Sequence, residues 1–202
     1  TIVAPASAPG RGGVSVIRMS GSNAKAIAED MCGGLAQSWK FRKCKIKSTD
    51  GLVLDSGLVV FFESPHSYTG EDVVEFHCHG NPTIVNLIVE DVVKRGAVIA
   101  EPGEFTKTAF LNDKIDLAQA ESVSDLINAQ SKSAVIAANS SLSGNFSSSV
   151  DLIIRGLVST RVMIEAHIDF PEEEIDPGLL ESISCELSGF SKDIDCLLYT
   201  SP

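Results

Sequence analysis

With 202 residues, 44% apolar and 21% charged, the chain is an ordinary globular sequence, able to bury a core in one large domain or two small ones. Its net charge of −11 is uneven: 12 Lys/Arg stand against 13 Asp/Glu over residues 1–114, and 4 against 14 beyond, which argues against phosphate-backbone binding by the second half and leaves room for a local basic site in the first. No apolar run approaches the ~20 residues that span a bilayer, no signal-like N-terminus is present, and five scattered cysteines without Cys-x-x-Cys spacing point to reduced thiols in a cytosolic compartment.

Along the chain, Gly13 to Ser20 alternates apolar and polar residues and predicts a half-buried strand. Ser22 is the expected N-cap of a helix over Asn23 to Met31, with Gly33 just past its end. Leu58 to Phe62 and Val73 to Cys78 predict two further strands. Asn81-Pro82 opens a periodic helix through Ile84, Leu87, Ile88, Val92 and Val93, closed by Lys94-Arg95-Gly96, and a strand follows near Ala97 to Ala100. Strands interleaved with helices predict an α/β sandwich.

Pro102-Gly103 then leads into a short amphipathic segment anchored by Phe105, Phe110 and Leu111. Asn112-Asp113-Lys114 breaks the apolar pattern before a second helix over Asp116 to Asn128, a wedge that suits a cation aimed at something. Beyond residue 115 the strand signals vanish. From Ser131 to about Ile168, Val150, Ile153, Ile154, Leu157, Val158, Ile164 and Ile168 recur at helical spacing, as in a bundle. Asp169 to Glu174 interrupts that pattern at Pro171, with Glu172-Glu173-Glu174 read as a solvated loop, and a last helix starts near Leu179. Residues 196–202 read as a poor helical continuation and as a candidate non-native tail.

Several motifs bear on chemistry. Pro9-Gly10-Arg11-Gly12-Gly13 precedes a strand rather than a helix, so it reads as a tight turn or a close backbone approach, with a ligand or partner contact as the alternative. No Gly-x-x-x-x-Gly-Lys-Ser/Thr string occurs, which argues against nucleotide hydrolysis by this segment. His77 and His79 share a strand face that Cys78 leaves, too few ligands for zinc; an end-of-strand turn at His79-Gly80 is favoured over a metallohydrolase site. Nor is there a nucleophile elbow or a Ser-His-Asp set.

Three charged residues stand out. Glu75 lies inside an apolar strand, where it either accepts bonds from an amide- or guanidine-like donor in a pocket or simply points outward. Arg18 is a lone cation in another apolar strand. With Lys114 they offer two cations and one carboxylate, a set suited to a ligand with acidic groups and a polar heteroaromatic ring; spacing does not show that they converge.

The segments Thr1-Ile2-Val3-Ala4, Pro9 to Val14, Ile17 to Gly21, Ser67 to Asp72, His79-Gly80, Pro102 to Phe105, Ala109 to Lys114 and Ile168 to Pro171 stand in the order of the tRNA modification GTPase family, MnmE/TrmE, which the chain resembles from residue 1 to about 195. The resemblance implies an α+β/α architecture: an N-terminal sandwich with a mixed sheet, similar to tetrahydrofolate-binding domains, then a long-helix bundle segment. It implies a folate-binding and dimerisation domain over residues 1–113 and the first part of a helical domain over 114–202, stopping before an inserted GTPase domain.

The family resemblance further implies 5-formyltetrahydrofolate as ligand of Arg18, Glu75 and Lys114, with no catalytic residue and no metal ligand in this part; GTP, Mg and K belong to the GTPase domain. Implied partners are a second copy of the chain, a flavin-dependent protein that helps modify the wobble uridine, and tRNA through the full complex, with no membrane. The implied location is the bacterial cytoplasm, or a mitochondrion or other organelle for a eukaryotic source. The family's C-terminal Cys-aliphatic-Gly-Lys motif has no match in Cys196-Leu197-Leu198-Tyr199, so GTP hydrolysis and modification are not expected of this part alone. The alternative reading is a purely structural dimerisation module.

Overall fold

The computed structural model of the protein describes residues 1–169 and 178–200. The chain divides into two compact units, Thr1–Ile115 and Asp116–Pro202.

The first unit holds six strands, β1 (Ile2–Pro5), β2 (Gly12–Ser20), β3 (Arg42–Lys47), β4 (Val53–Phe62), β5 (Val73–Gly80) and β6 (Val98–Ile99), in one sheet of order β3-β4-β5-β2-β1-β6. All neighbours are antiparallel except β1 and β6, which makes the sheet mixed. Helices α1 (Ala24–Cys32) and α2 (Pro82–Lys94) pack on one face, and α3 (Glu104–Leu111) follows β6. Because side chains alternate along a strand, Ile17 and Met19 of β2 and Val74, Phe76 and Cys78 of β5 meet the helices, where all five are buried. Met31 of α1 and Ile88 and Val92 of α2 complete this core, each fully buried and worth roughly 1.5–3 kcal/mol of transfer free energy.

Helix α2 forms where its signals place it: Pro82 occupies the first turn and the Asn81 side chain accepts from the Thr83 N–H at 2.9 Å. At α1 the expected cap is displaced. Asn23, not Ser22, precedes the helix without a side-chain cap, and the Thr1 hydroxyl accepts the Asn23 N–H at 3.0 Å. A residue distant in sequence satisfies the helix end, which local pattern does not reveal. Gly33 closes α1 in the left-handed conformation.

Strands β1 and β3 were not anticipated. β1 is short and exists by pairing on both sides, with β2 and β6. In β3 the run Arg42-Lys43-Cys44-Lys45-Ile46-Lys47 does alternate, with Cys44 and Ile46 buried, but its charge masks the pattern. The expected turn at His79-Gly80 instead falls inside β5, where Gly12 and Gly80 pair. A Cβ on Gly80 would stand 2.5 Å from the Gly12 carbonyl oxygen, so the close backbone approach expected of the Gly-rich loop occurs at its strand end.

The second unit is helical among the described residues: α4 (Leu117–Asn128), α5 (Lys132–Leu142), α6 (Asn145–Asp169) and α7 (Leu179–Thr200). Asp116 and Gln119 cap α4 reciprocally, and Ser131 caps α5. The Gln119 side chain also donates to the Leu142 carbonyl at 3.0 Å, joining the start of α4 to the end of α5. The helical pattern after Ser131 is not continuous: Gly144, at φ 81°, separates α5 from α6. Residues 196–200, expected to continue the last helix poorly, lie within α7. The Glu172-Glu173-Glu174 loop lies outside the described residues. α6 and α7 pack closely at Gly156, where a Cβ would stand 2.4 Å from Phe190 Cζ, and Thr160 donates to Glu186 Oε2 at 3.0 Å. The α+β sheet unit followed by long helices is the architecture expected from the sequence.

Candidate ligand site on the second face of the sheet

The β2–β5 register sets Arg18 directly opposite Glu75. Both point away from α1 and α2, on the face that carries Val60 of β4 and His77 of β5. Arg18 Nε and Nη2 donate to Glu75 Oε1 at 2.9 and 2.8 Å, with the side chains 28% and 14% exposed. Partial burial makes such a charge-assisted pair stronger than a surface one. The other carboxylate oxygen, Oε2, lies 3.3 Å from His77 Nε2. The guanidine-type partner that Glu75 called for is therefore supplied by the protein itself.

Aromatic rings frame this pair. The Arg18 guanidinium carbon lies 5.3 Å from the Tyr68 ring centroid and 5.8 Å from that of Phe105, within cation–π range of both. Tyr68 is held by α3 through its hydroxyl, 2.9 Å from Thr106 Oγ1. Phe41 packs edge-on against His77 at 5.2 Å. Phe105 thus does more than the packing its helical spacing suggested.

Lys114, just beyond α3, packs against the loop of residues 64–72 between β4 and β5, the loop that carries Tyr68. Its Nζ donates to the Pro65 carbonyl at 3.0 Å, and its stem lies against Gly70. Gly70 has φ +79°, and a Cβ there would meet Lys114 Cγ at 3.2 Å, so both backbone conformation and space favour glycine. Asn112 fixes the wedge by donating to the Thr69 carbonyl at 2.7 Å. Thr69 in turn shares a hydrogen bond with buried Ser20, which donates to Glu71 Oε2 at 2.9 Å. A cleft of about 770 Å³ opens here, lined among others by Ser64, Glu71, Asp72, Leu111, Asn112 and Lys114. Leu111, 67% exposed, is a rim residue and not core.

Arg18 and Glu75 are therefore in contact, while Lys114 reaches the same loop without touching either. Three participants were not singled out in the sequence: Tyr68, His77 as a partner of Glu75, and the Ser20–Thr69–Glu71 cluster. His77 was readable as a same-face neighbour, two residues along a strand from Glu75. Nothing local signals Tyr68 against Arg18.

Asp55, His79 and Cys78 have structural parts. His79 donates its N–H to Asp55 Oδ2 at 2.7 Å and brings Nδ1 within 2.7 Å of Oδ1. Burial works to raise the Asp55 pKa, but the His79 backbone and ring and the Ser56 N–H outweigh it and hold the carboxyl below its ordinary value. Burial, with the Asp55 charge, pushes the Cys78 thiol up to about 11. Cys78 lies in the core, facing away from the two histidines as strand alternation requires. Among the described residues no cluster of three or more His, Cys, Asp or Glu is arranged to hold a metal ion. Nor is any helix there long and apolar enough to cross a membrane.

Hydrogen-bond capacity tests whether a folate fits. A carboxylate offers about four lone-pair sites and a guanidinium about five N–H donors. After their mutual contacts, Glu75 Oε2 retains acceptor capacity, and Arg18 Nη1 and Lys114 Nζ retain donors. That leaves an acceptor for a ring-edge N–H, cations for carboxylates, and the Tyr68 and Phe105 rings nearby. The residues present fit the group.

Comparison with known proteins agrees in both units. Residues 1–114 match the family described as GTP-binding protein TrmE N-terminus, and residues 117–202 match the MnmE helical domain. A tRNA modification GTPase MnmE of Neisseria meningitidis serogroup B is 46% identical over 200 residues, 98% of this chain and 44% of that protein. The protein of the same name from Hydrogenovibrio crunogenus is 50% identical over 176 residues, 87% of this chain and 39% of its own length. In Nitrosomonas eutropha the corresponding identity is 47%, with the same coverage of 87% and 39%. The chain thus spans less than half the length of these relatives.

Proposed function

Because the chain belongs to the MnmE family of tRNA modification GTPases, we propose that its first unit binds 5-formyltetrahydrofolate through Arg18, Glu75 and Lys114. The observation that carries this reading is the Arg18–Glu75 pair beneath Tyr68 and Phe105, with acceptor capacity to spare on Glu75 Oε2. Glu75 receives N–H donors of the pterin edge, and the cations offset the ligand's carboxylates. Tyr68 and Phe105 supply ring surface. The bound folate would supply a one-carbon unit; the residues named here bind and orient it.

In this reading the chain is the N-terminal part of a protein that modifies the wobble uridine of tRNA with a flavin-dependent partner. It pairs with a second copy through residues 1–113 and works in the cytoplasm or an organelle. GTP, Mg and K act in the portion of the relatives that this chain does not cover.

Calorimetric titration of 5-formyltetrahydrofolate into the wild-type chain and the Glu75→Ala and Lys114→Ala variants tests the site. Weaker binding in the variants is expected, and unchanged affinity in both overturns the assignment.

A further inference from the structure

We propose that Cys32 and Cys44 form an oxidation site in which a peroxide closes an intramolecular disulfide. The inference is independent of the folate reading, since neither residue lies on the ligand face of the sheet.

Cys32 is the last residue of α1 and Cys44 the third of β3. Their sulfurs stand 3.1 Å apart and share a hydrogen bond, and the residues are 8% and 7% exposed. A disulfide needs ~2.05 Å, so the sulfurs must approach by only about 1 Å. The connecting segment is already drawn tight. Gly33 turns in the left-handed conformation, and Arg42 Nη1, two residues before Cys44, bonds the carbonyls of Gly33 and Gly34, which follow Cys32.

The pair is asymmetric. The hydrogen bond that the two sulfurs share holds the Cys44 thiol below its ordinary value despite burial, with the Arg42 guanidinium adding to the effect; Cys32 is pushed upward by the same bond and by burial. Cys44 is thus the nucleophile, and Cys32 keeps its proton. The third buried thiol, Cys78, contacts the Ser15 carbonyl at 3.5 Å and resists ionisation.

The chemistry closes without a further reactant. The Cys44 thiolate attacks one peroxide oxygen, the O–O bond breaks, and the departing hydroxide takes up a proton to leave as water. Cys44 then carries an S–OH group. Cys32 sulfur attacks Cys44 sulfur, the S–O bond breaks, and the hydroxyl leaves as a second water with the Cys32 proton. Two thiols are oxidised to one disulfide, and one peroxide is reduced to two waters. A small neutral peroxide suits a pair this buried better than a bulky charged disulfide does.

Titration of the whole chain with hydrogen peroxide, followed by non-reducing digestion and mass spectrometry, tests the site. The expected product is a peptide pair joined through Cys32 and Cys44, formed at least tenfold faster than any oxidation of Cys78 and reversed by dithiothreitol. Cys32→Ser should leave Cys44 as a sulfenic acid that dimedone captures, and Cys44→Ser should leave Cys32 reduced. The inference is overturned if both remain thiols after the exposed Cys185 has oxidised. It also fails if Cys44 passes to sulfinic acid without the cross-link, or if Cys32 or Cys44 links elsewhere. The wild-type digest decides the matter even if a variant folds poorly.

Discussion

Glu75 accepts from Arg18 on one oxygen and meets His77 on the other, so its carboxylate is oriented before any ligand arrives. Glu75→Gln keeps the shape and removes the charge. A hydrogen bond to a charged group contributes about 1.5–3 kcal/mol, which corresponds to a loss of roughly 10- to 100-fold in folate affinity by titration calorimetry. Asp55 plays a different part. Its folded pKa is depressed, so its contribution is present above the unfolded value near ~3.9 and is lost as pH falls through the folded value. Asp55→Asn is expected to cost about 1 kcal/mol in urea unfolding at neutral pH. Below that window the two proteins should converge.

Helix α2 is tied to its surroundings by one polar cluster. Asp91, 3% exposed, accepts from the Thr49 N–H and hydroxyl at 2.9 and 3.0 Å on one oxygen and from Arg95 Nε at 2.8 Å on the other. Arg95 also pairs with Asp30 of α1, so the cluster joins α1, α2 and the β3–β4 turn. Asp91→Ala would leave a largely buried guanidinium without its buried counter-charge, with only the exposed Asp30 remaining. A loss of about 3 kcal/mol is expected from denaturant unfolding, well above the change from an exposed ion pair. Arg161→Ala, which breaks an exposed pair with Glu165 on α6, should change stability by less than about 0.5 kcal/mol in the same assay.

All three proposed folate ligands fall in the unit Thr1–Ile115, which has its own sheet and core. A fragment of residues 1–115 is therefore expected to keep a cooperative thermal transition and to bind 5-formyltetrahydrofolate within about twofold of the whole chain. A folded fragment without binding would show that the site needs more of the protein. The helical unit depends on close helix contact at Gly156 and on Thr160–Glu186, and it retains an apolar groove of about 550 Å³ between α6 and α7.

Much of this was legible in the chain alone. The periodicity of Ile84, Ile88 and Val92, the Asn81-Pro82 start and the Asp116 start of α4 are local signals, and each element formed where they lie. The strand pattern also ends near residue 115, and among the described residues no strand lies beyond it. Local energetics determine such features because a few neighbouring residues suffice to satisfy them. The partnership of Arg18 with Glu75, the Thr1 cap on Asn23, Tyr68 over Arg18 and the approach of Cys32 to Cys44 were decided only in three dimensions. Each depends on strand register or on segments distant in sequence, and register is set by how a whole sheet buries one face against its helices.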